Sequence, residues 1–275
     1  MLRYPMKLEV EDLHFRYAAD RAILSGVSMS VASGSTVAFV GPSGCGKTTF
    51  LQILAGILGS ASAAKLGGRV LWDGAADTLA LRRLGKIGYM FQVPVLLPHL
   101  NILDNVVLPL EACGQKKDKS ANRAKALSLL AKLGLARVAG DLPDQLSVGM
   151  RARVALARTF ATEPSLLLLD EPFTSLDVSW RIALYQQWRS SAQAQRTTTI
   201  LVTHDVSEGF LLADRVVVFN TAGRIAKVFE SDRPKPQTLD LDSIRDHLRG
   251  VGGTIEDVQY AINMDVVSST PVQLA

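Results

Sequence analysis

The sequence of 275 residues holds only two cysteines, Cys45 and Cys113, too few for a disulfide framework. An excess of one charge is also missing. Thirty Lys and Arg face 26 Asp and Glu, a net of +4, so bulk charge gives no reason to expect a nucleic-acid partner. No apolar run nears the ~18 residues a membrane helix needs. The most apolar stretch, VSEGFLLADRVVVF at 206–219, is broken by Asp214 and Arg215. The opening MLRYPMKLEVEDLHF carries five charges and no apolar core of a secretory leader. Internal repeats and long low-complexity tracts are absent as well. What is present is a 48% hydrophobic fraction with 20% charged residues, enough for one large α/β domain or two lobes and too apolar for a disordered chain. These features predict a soluble, cytoplasmic chain that meets a membrane only through a partner.

Periodicity divides the chain. Residues 7–13 and 27–31 alternate as strands do, and TVAFV at 36–40 reads as a buried central strand. A glycine-rich loop follows, then helical spacing over 48–58 in Phe50, Leu51, Leu54 and Leu58. Residues 59–68 (GSASAAKLGG) read as a loop, 69–74 as a strand and turn, and 86–92 as a strand. The segment 93–100 has two prolines and is bent, with Leu96, Leu97 and Leu100 suited either to a partner groove or to a lobe core. Residues 101–138 read as helical, broken by CGQKKDKS, and 146–164 as a helix that stops before Pro164. SLLLLDEP (165–172) and TTTILVTHD (197–205) read as buried strands, and 215–229 as a hairpin. DRPKPQ (232–237) is a polar linker. Beyond it the tail, with four basic residues against seven acids over 232–275, has room for one short helix, LDSIRDHLRG.

Residues 41–48, GPSGCGKT, form the phosphate-loop pattern between a strand and a helix. Gly44 and Gly46 let backbone N–H groups curl round phosphate oxygens. Lys47 brings a mobile positive charge to the β/γ phosphates, and Thr48 offers a hydroxyl to Mg²⁺. The helix from Thr48 aims its N-terminal dipole at the same anion. Cys45 reads as a small filler rather than a redox group. At the end of the four-leucine strand, Asp170 is suited to help hold Mg²⁺, and Glu171 to orient or deprotonate the attacking water.

With these motifs in fixed order, residues 1–230 resemble the ATP-hydrolysing subunit of an ATP-binding cassette (ABC) transporter. The resemblance rests on the phosphate loop, Gln92 in YMFQ, LSVGM at 146–150, LLLLDEP, SLD at 175–177 and His204 in VTHD. Tyr17 in FRYAAD matches the aromatic that stacks on adenine, with Phe15 as its rival. It implies an α/β P-loop NTPase core with an N-terminal antiparallel β portion and an α-helical lobe inserted at about 93–160. Residues 231–275 lie beyond the resemblance and read, from their charge, as an acidic C-terminal extension. ATP and Mg²⁺ are the implied cofactors. Glu171, His204 and Gln92 take the catalytic roles, with Thr48, Gln92 and Asp170 at the metal. Tyr17, Gly41, Pro42, Ser43, Gly44, Cys45, Gly46, Lys47, Thr48 and Thr49 hold the nucleotide. Two copies pair head to tail, so that Ser147, Gly149 and Asp177 reach ATP held by the other copy. The implied partners are a second ATPase subunit, a transmembrane permease and a separate solute-binding protein, with the chain peripheral at the inner membrane face.

The segments MRARVALART, DEPFTSLD and VTHDVSEGFLLADRVVVF look most like the nitrate, sulfonate and taurine importers. Other ABC systems, for lipid trafficking or export, and a cassette module with weak turnover are alternatives. One residue departs from the family: Val148 stands where the signature has glycine. Either the torsions there are ordinary, or the pocket is weakened.

Overall fold

The computed structural model describes residues 6–17, 22–58, 65–75, 84–113, 118–195 and 197–230, together with 78, 81, 244, 246, 248 and 254–258. The chain starts with β1 (Leu8–Arg16) and β2 (Ala22–Val31), then β3 (Thr36–Val40) and α1 (Lys47–Leu54). β4 (Lys65–Trp72) and β5 (Ile87–Met90) follow. Three helices come next: α2 (Ile102–Ala112), α3 (Lys119–Lys132) and α4 (Val148–Ala161). The last part runs β6 (Leu166–Asp170), α5 (Val178–Gln195), β7 (Thr198–Val202), α6 (Val206–Leu212), β8 (Arg215–Phe219) and β9 (Ile225–Glu230).

These strands make two sheets. One is a three-stranded antiparallel sheet in the order β2-β1-β4. The other has six strands in the order β5-β6-β7-β3-β8-β9, all parallel except β9. Its central strands are apolar along their length because layers cover both faces: every residue of β3, β6 and β7 is buried. Phe39, Phe50 and Phe219 pack ring against ring on one side, in a core shared with Leu8, Phe15 and Trp72 of the antiparallel sheet. The parallel strands end together, which gathers the loops after β3, β5, β6 and β7 at one edge, where open α/β sheets bind ligands.

The helical lobe is inserted between β5 and β6. Its core is Ile102, Val106, Leu110, Ala126, Leu130 and Leu156. Asn105, fully buried, anchors the bent segment before it. Its Oδ1 accepts from Leu97 N, and its Nδ2 donates to the carbonyls of Leu97, Leu100 and Asn101. Burying an amide is tolerable because all of its groups are paired.

One local reading is corrected, and one element is added. Residues 65–68 are not loop but the start of β4, pairing with β1 as Leu66 with Phe15 and Gly67 with His14. The stretch after Asp205 forms a seven-residue helix, α6, that periodicity does not reveal. Lys116 and Lys117 lie outside the described residues, as does most of 231–275. Of that tail, Val258 is buried with Leu248 and Ile255 beside it, against Val206, Phe210 and Val218.

Candidate nucleotide site

The loop from Gly41 to Gly46 joins β3 to α1. Gly41, with φ 153°, lies so close to the β8 end that a Cβ there would meet Phe219 O at 2.5 Å. Gly46, with φ 103°, would put a Cβ 2.9 Å from Ile23 O. Both positions therefore demand glycine. α1 has no side-chain cap, so its first N–H groups remain for an anion. Lys47 is buried, and its Nζ donates to Gly41 O at 2.8 Å and Pro42 O at 2.9 Å. Cys45 is buried in the core, and burial raises its pKa, which keeps it a packed, protonated thiol.

β6 and β7 are in register with Asp170 opposite Val202, so the residues following each strand meet. Asp170 is 1% exposed. Its Oδ1 accepts from Thr48 Oγ1 at 3.2 Å, while its Oδ2 is buried with no hydrogen-bond partner. Burial, with Glu171 adding to it, pushes its pKa up to about 6; the Thr48 bond and Lys47 oppose the shift. An orphaned carboxylate oxygen beside a threonine hydroxyl suits a hard divalent cation such as Mg²⁺. Among the described residues no group of three or more His, Cys, Asp or Glu could hold a metal.

Glu171 has φ 49°, a left-handed conformation that costs a glutamate on the order of 1 kcal/mol. Its N–H donates to Val202 O at 2.9 Å, which pins the turn. Its Oε2 lies 3.3 Å from His204 Nδ1 and 3.4 Å from Thr174 Oγ1. His204 directly precedes Asp205, which caps α6 by accepting from Ser207 N and Glu208 N.

Lys47, Thr48, Thr49, Ser43, Gly44 and Gly46 thus share one cleft of about 280 Å³ with Gln92, Glu171 and His204. Ile23, which carries no motif, completes the lining. Tyr17 stands at the side, half exposed, with its hydroxyl 3.4 Å from Thr49 Oγ1 and its ring edge-to-face on Phe15. Phe15 is buried, so of the two aromatics only Tyr17 presents a face.

Ser147, Gly149 and Asp177 do not line this cleft. Ser147 caps α4, accepting from Met150 N at 3.2 Å. Asp177 caps α5, accepting from Trp180 N at 3.0 Å. The first turn of α4 lies against the segment before α5, since a Cβ on Gly149 would lie 3.2 Å from Ser175 O. Val148 is the first residue of α4, has no positive φ, and leaves its side chain 53% exposed. Its torsions are ordinary.

A second concavity, of about 420 Å³, lies between β5, α2 and α4. Tyr89, Phe91, Val95, Leu97 and Leu108 line it, together with Arg158. Leu97 therefore faces the groove, whereas Leu96 packs on the lobe core. Burial lowers the pKa of Arg158, which has no hydrogen bond or ion pair among the described residues.

A P-loop nucleotide-binding protein is the class that this fold and cleft define. A family model described as "ABC transporter" matches residues 24–174. The sulfate/thiosulfate import ATP-binding protein of Bordetella parapertussis is 43% identical over 225 residues, 81% of this chain and 62% of that protein. The aliphatic sulfonates import ATP-binding protein of Ralstonia nicotianae is 43% identical over 218 residues, 79% of this chain and 71% of that protein. A solved dimeric ATP-binding cassette in a post-hydrolysis state, bound to ADP and Pi, superposes with a TM-score of 0.75 at 27% identity, covering 82% of this chain and 100% of that one. The chain belongs to the ABC transporter family, as an ATP-binding cassette. It spans 62% of the Bordetella protein and 59% of a Neisseria meningitidis protein of the same name.

Proposed function

We propose that the chain is the ATP-hydrolysing motor subunit of an ABC importer for a small solute, with sulfonate or sulfate the best-supported cargo class. The observation that carries this is the meeting of Lys47, Thr48, Gln92, Glu171 and His204 in one cleft. The cargo reading draws on the two import relatives; nitrate and taurine belong to the same group by motif alone. Residues 1–230 form the ATPase unit, and 231–275 an extension to it.

The reaction is in-line attack of water on the γ-phosphate of ATP. The loop N–H groups from Ser43 to Thr49 and the Lys47 ammonium bind the phosphates, and Tyr17 stacks on adenine. Glu171 orients and deprotonates the water, and its strained backbone holds the carboxylate towards the cleft. His204, 3.3 Å from that carboxylate, donates to the γ-phosphate. Thr48, Asp170 and Gln92 hold Mg²⁺, which neutralises charge on the phosphate oxygens when bound. Phosphate release by the purified chain tests the reading. Turnover that requires Mg²⁺ and stops with a chelator is expected; ATP binding without any phosphate release in the assembled complex would overturn it.

Two copies sandwich the nucleotide, and the dimeric cassette bound to ADP and Pi supports this pairing. Ser147 Oγ accepts from Met150 N, which leaves its own proton free for a phosphate oxygen across the interface. Gly149 and Asp177 lie on the same edge. The apolar groove lined by Phe91, with an Arg158 that has no ion pair among the described residues, suits a helix of the permease that carries an acid among apolar residues. A solute-binding protein completes the importer, and the permease holds the chain at the inner membrane face. Among the described residues no helix is long and apolar enough to cross a membrane.

Val148 is compatible with full activity, because a first-turn helical position does not ask for glycine. Val148→Gly is expected to leave turnover within about threefold and to lower the melting temperature, since glycine in a helix costs roughly 0.5–1 kcal/mol. A rise in turnover of about tenfold, set against the stability loss that glycine brings, would show instead that valine obstructs the site.

A further inference from the structure

Three segments converge behind the edge formed by Ser147 and Asp177. Arg153 of α4 lies with its Cζ 3.8 Å from the ring centroid of Trp180, the third residue of α5. The guanidinium is buried, and its Nη1 donates to Leu133 O at 2.8 Å, just past the end of α3. Burial lowers its pKa while Asp177 holds it up, so this cation is both desolvated and close to the acid that caps α5. Gly134 follows with φ 70°, and a Cβ there would lie 2.4 Å from Trp180 Cη2, so the outer edge of the indole sits against bare backbone. Trp180 N in turn donates to Asp177 Oδ1 at 3.0 Å.

We propose that Trp180 is a positioning residue, which by stacking on Arg153 fixes the start of α4 and the loop 175–177 as a single edge for a second copy of this chain. The sequence motifs name Ser147, Gly149 and Asp177 but say nothing of what keeps them in register. α4 belongs to the inserted lobe, whereas α5 follows the sheet strand β6. The two helix starts, Val148 and Val178, are 30 residues apart in the chain (178 − 148), so non-covalent contacts keep them together. The contact of Gly149 with Ser175 O joins them at the exposed end, and the Arg153–Trp180 stack joins them about one turn further in. A cation over an indole face, with water excluded, is the strong form of that interaction. Neither residue lines the cleft that holds Lys47, Glu171 and His204. Loss of the stack therefore loosens the edge that completes the sandwich without touching the nucleotide cleft of the same copy.

The inference rests on the sandwich reading, and the test separates the two. In the Glu171→Gln background, the ATP concentration that gives half dimer is measured by light scattering. ADP affinity is measured by calorimetry on the same proteins. Trp180→Ala is expected to raise the half-dimer concentration by about tenfold or more, as loss of a desolvated cation–π contact implies. ADP affinity should stay within about twofold, and Trp180→Phe, which keeps a ring face, within about threefold of the parent on both measures. An unchanged half-dimer concentration in Trp180→Ala overturns the inference alone. So does an equal loss of dimer and of ADP affinity, which would mark general destabilisation. If Glu171→Gln itself never dimerises in Mg-ATP, the sandwich and this inference fall together.

Discussion

Glu171→Gln is expected to slow phosphate release by about a hundredfold or more, the range a lost general base commands, while ATP still binds. The substitution keeps the size of the side chain and its contacts with His204 and Thr174, since an amide oxygen accepts as a carboxylate does. It removes the basicity and the negative charge that the side chain carries. The backbone at φ 49° is unaffected, because its strain is held by the Glu171 N to Val202 O bond rather than by the side chain. Asp170, whose raised pKa owes part of its shift to the neighbouring charge, should relax slightly towards an ordinary carboxylate. Phosphate release under saturating ATP and calorimetric ATP affinity together decide the case. A glutamine variant that turns over at the parent rate removes Glu171 from the chemistry.

Lys47→Ala should have the second-largest effect, on binding rather than on turnover. Charge-assisted bonds to phosphate oxygens are worth roughly 1.5–3 kcal/mol each, so affinity for ATP should fall by about ten- to a hundredfold. The loop itself also loses something. Gly41 O and Pro42 O both accept from Lys47 Nζ, and in the alanine variant the loop carbonyls turn to water. A fall of a few degrees in melting temperature without nucleotide is expected to accompany the loss of affinity. Titration with ADP, which carries one phosphate fewer, should show a smaller loss than ATP. Equal losses for both would place the ammonium away from the γ-phosphate.

Much of the site was legible because its residue types have few other uses at that spacing. TVAFV followed by GPSGCGKT can only be a buried strand opening onto a phosphate-binding turn, and the structure has β3 and α1 there. LLLLDE reads the same way: four leucines require burial on both faces, so the acids emerge at the strand end. What the sequence could not show is contact made across the chain. Ile23 lines the cleft because Gly46 packs against its backbone, and nothing at residue 23 signals it. The start of β4 was hidden by Gly67 and Gly68, which read as loop. Gly68 is there because β1 bulges at Asp12, and a Cβ would lie 2.3 Å from Asp12 O. α6 is hidden for another reason: at seven residues, six of them buried, it has no polar face for periodicity to detect. Val148 could be read as a departure, but only its place as the first residue of α4 reveals its ordinary torsions.

The central claim is that two copies close on ATP and open on hydrolysis. Light scattering on Glu171→Gln during size-exclusion chromatography tests it most directly, with and without saturating Mg-ATP. The account predicts a monomer of 29.7 kDa without nucleotide and a species of twice that mass with it, reverting when ATP is replaced by ADP. A monomer at saturating Mg-ATP, with nucleotide shown to be bound, would contradict it.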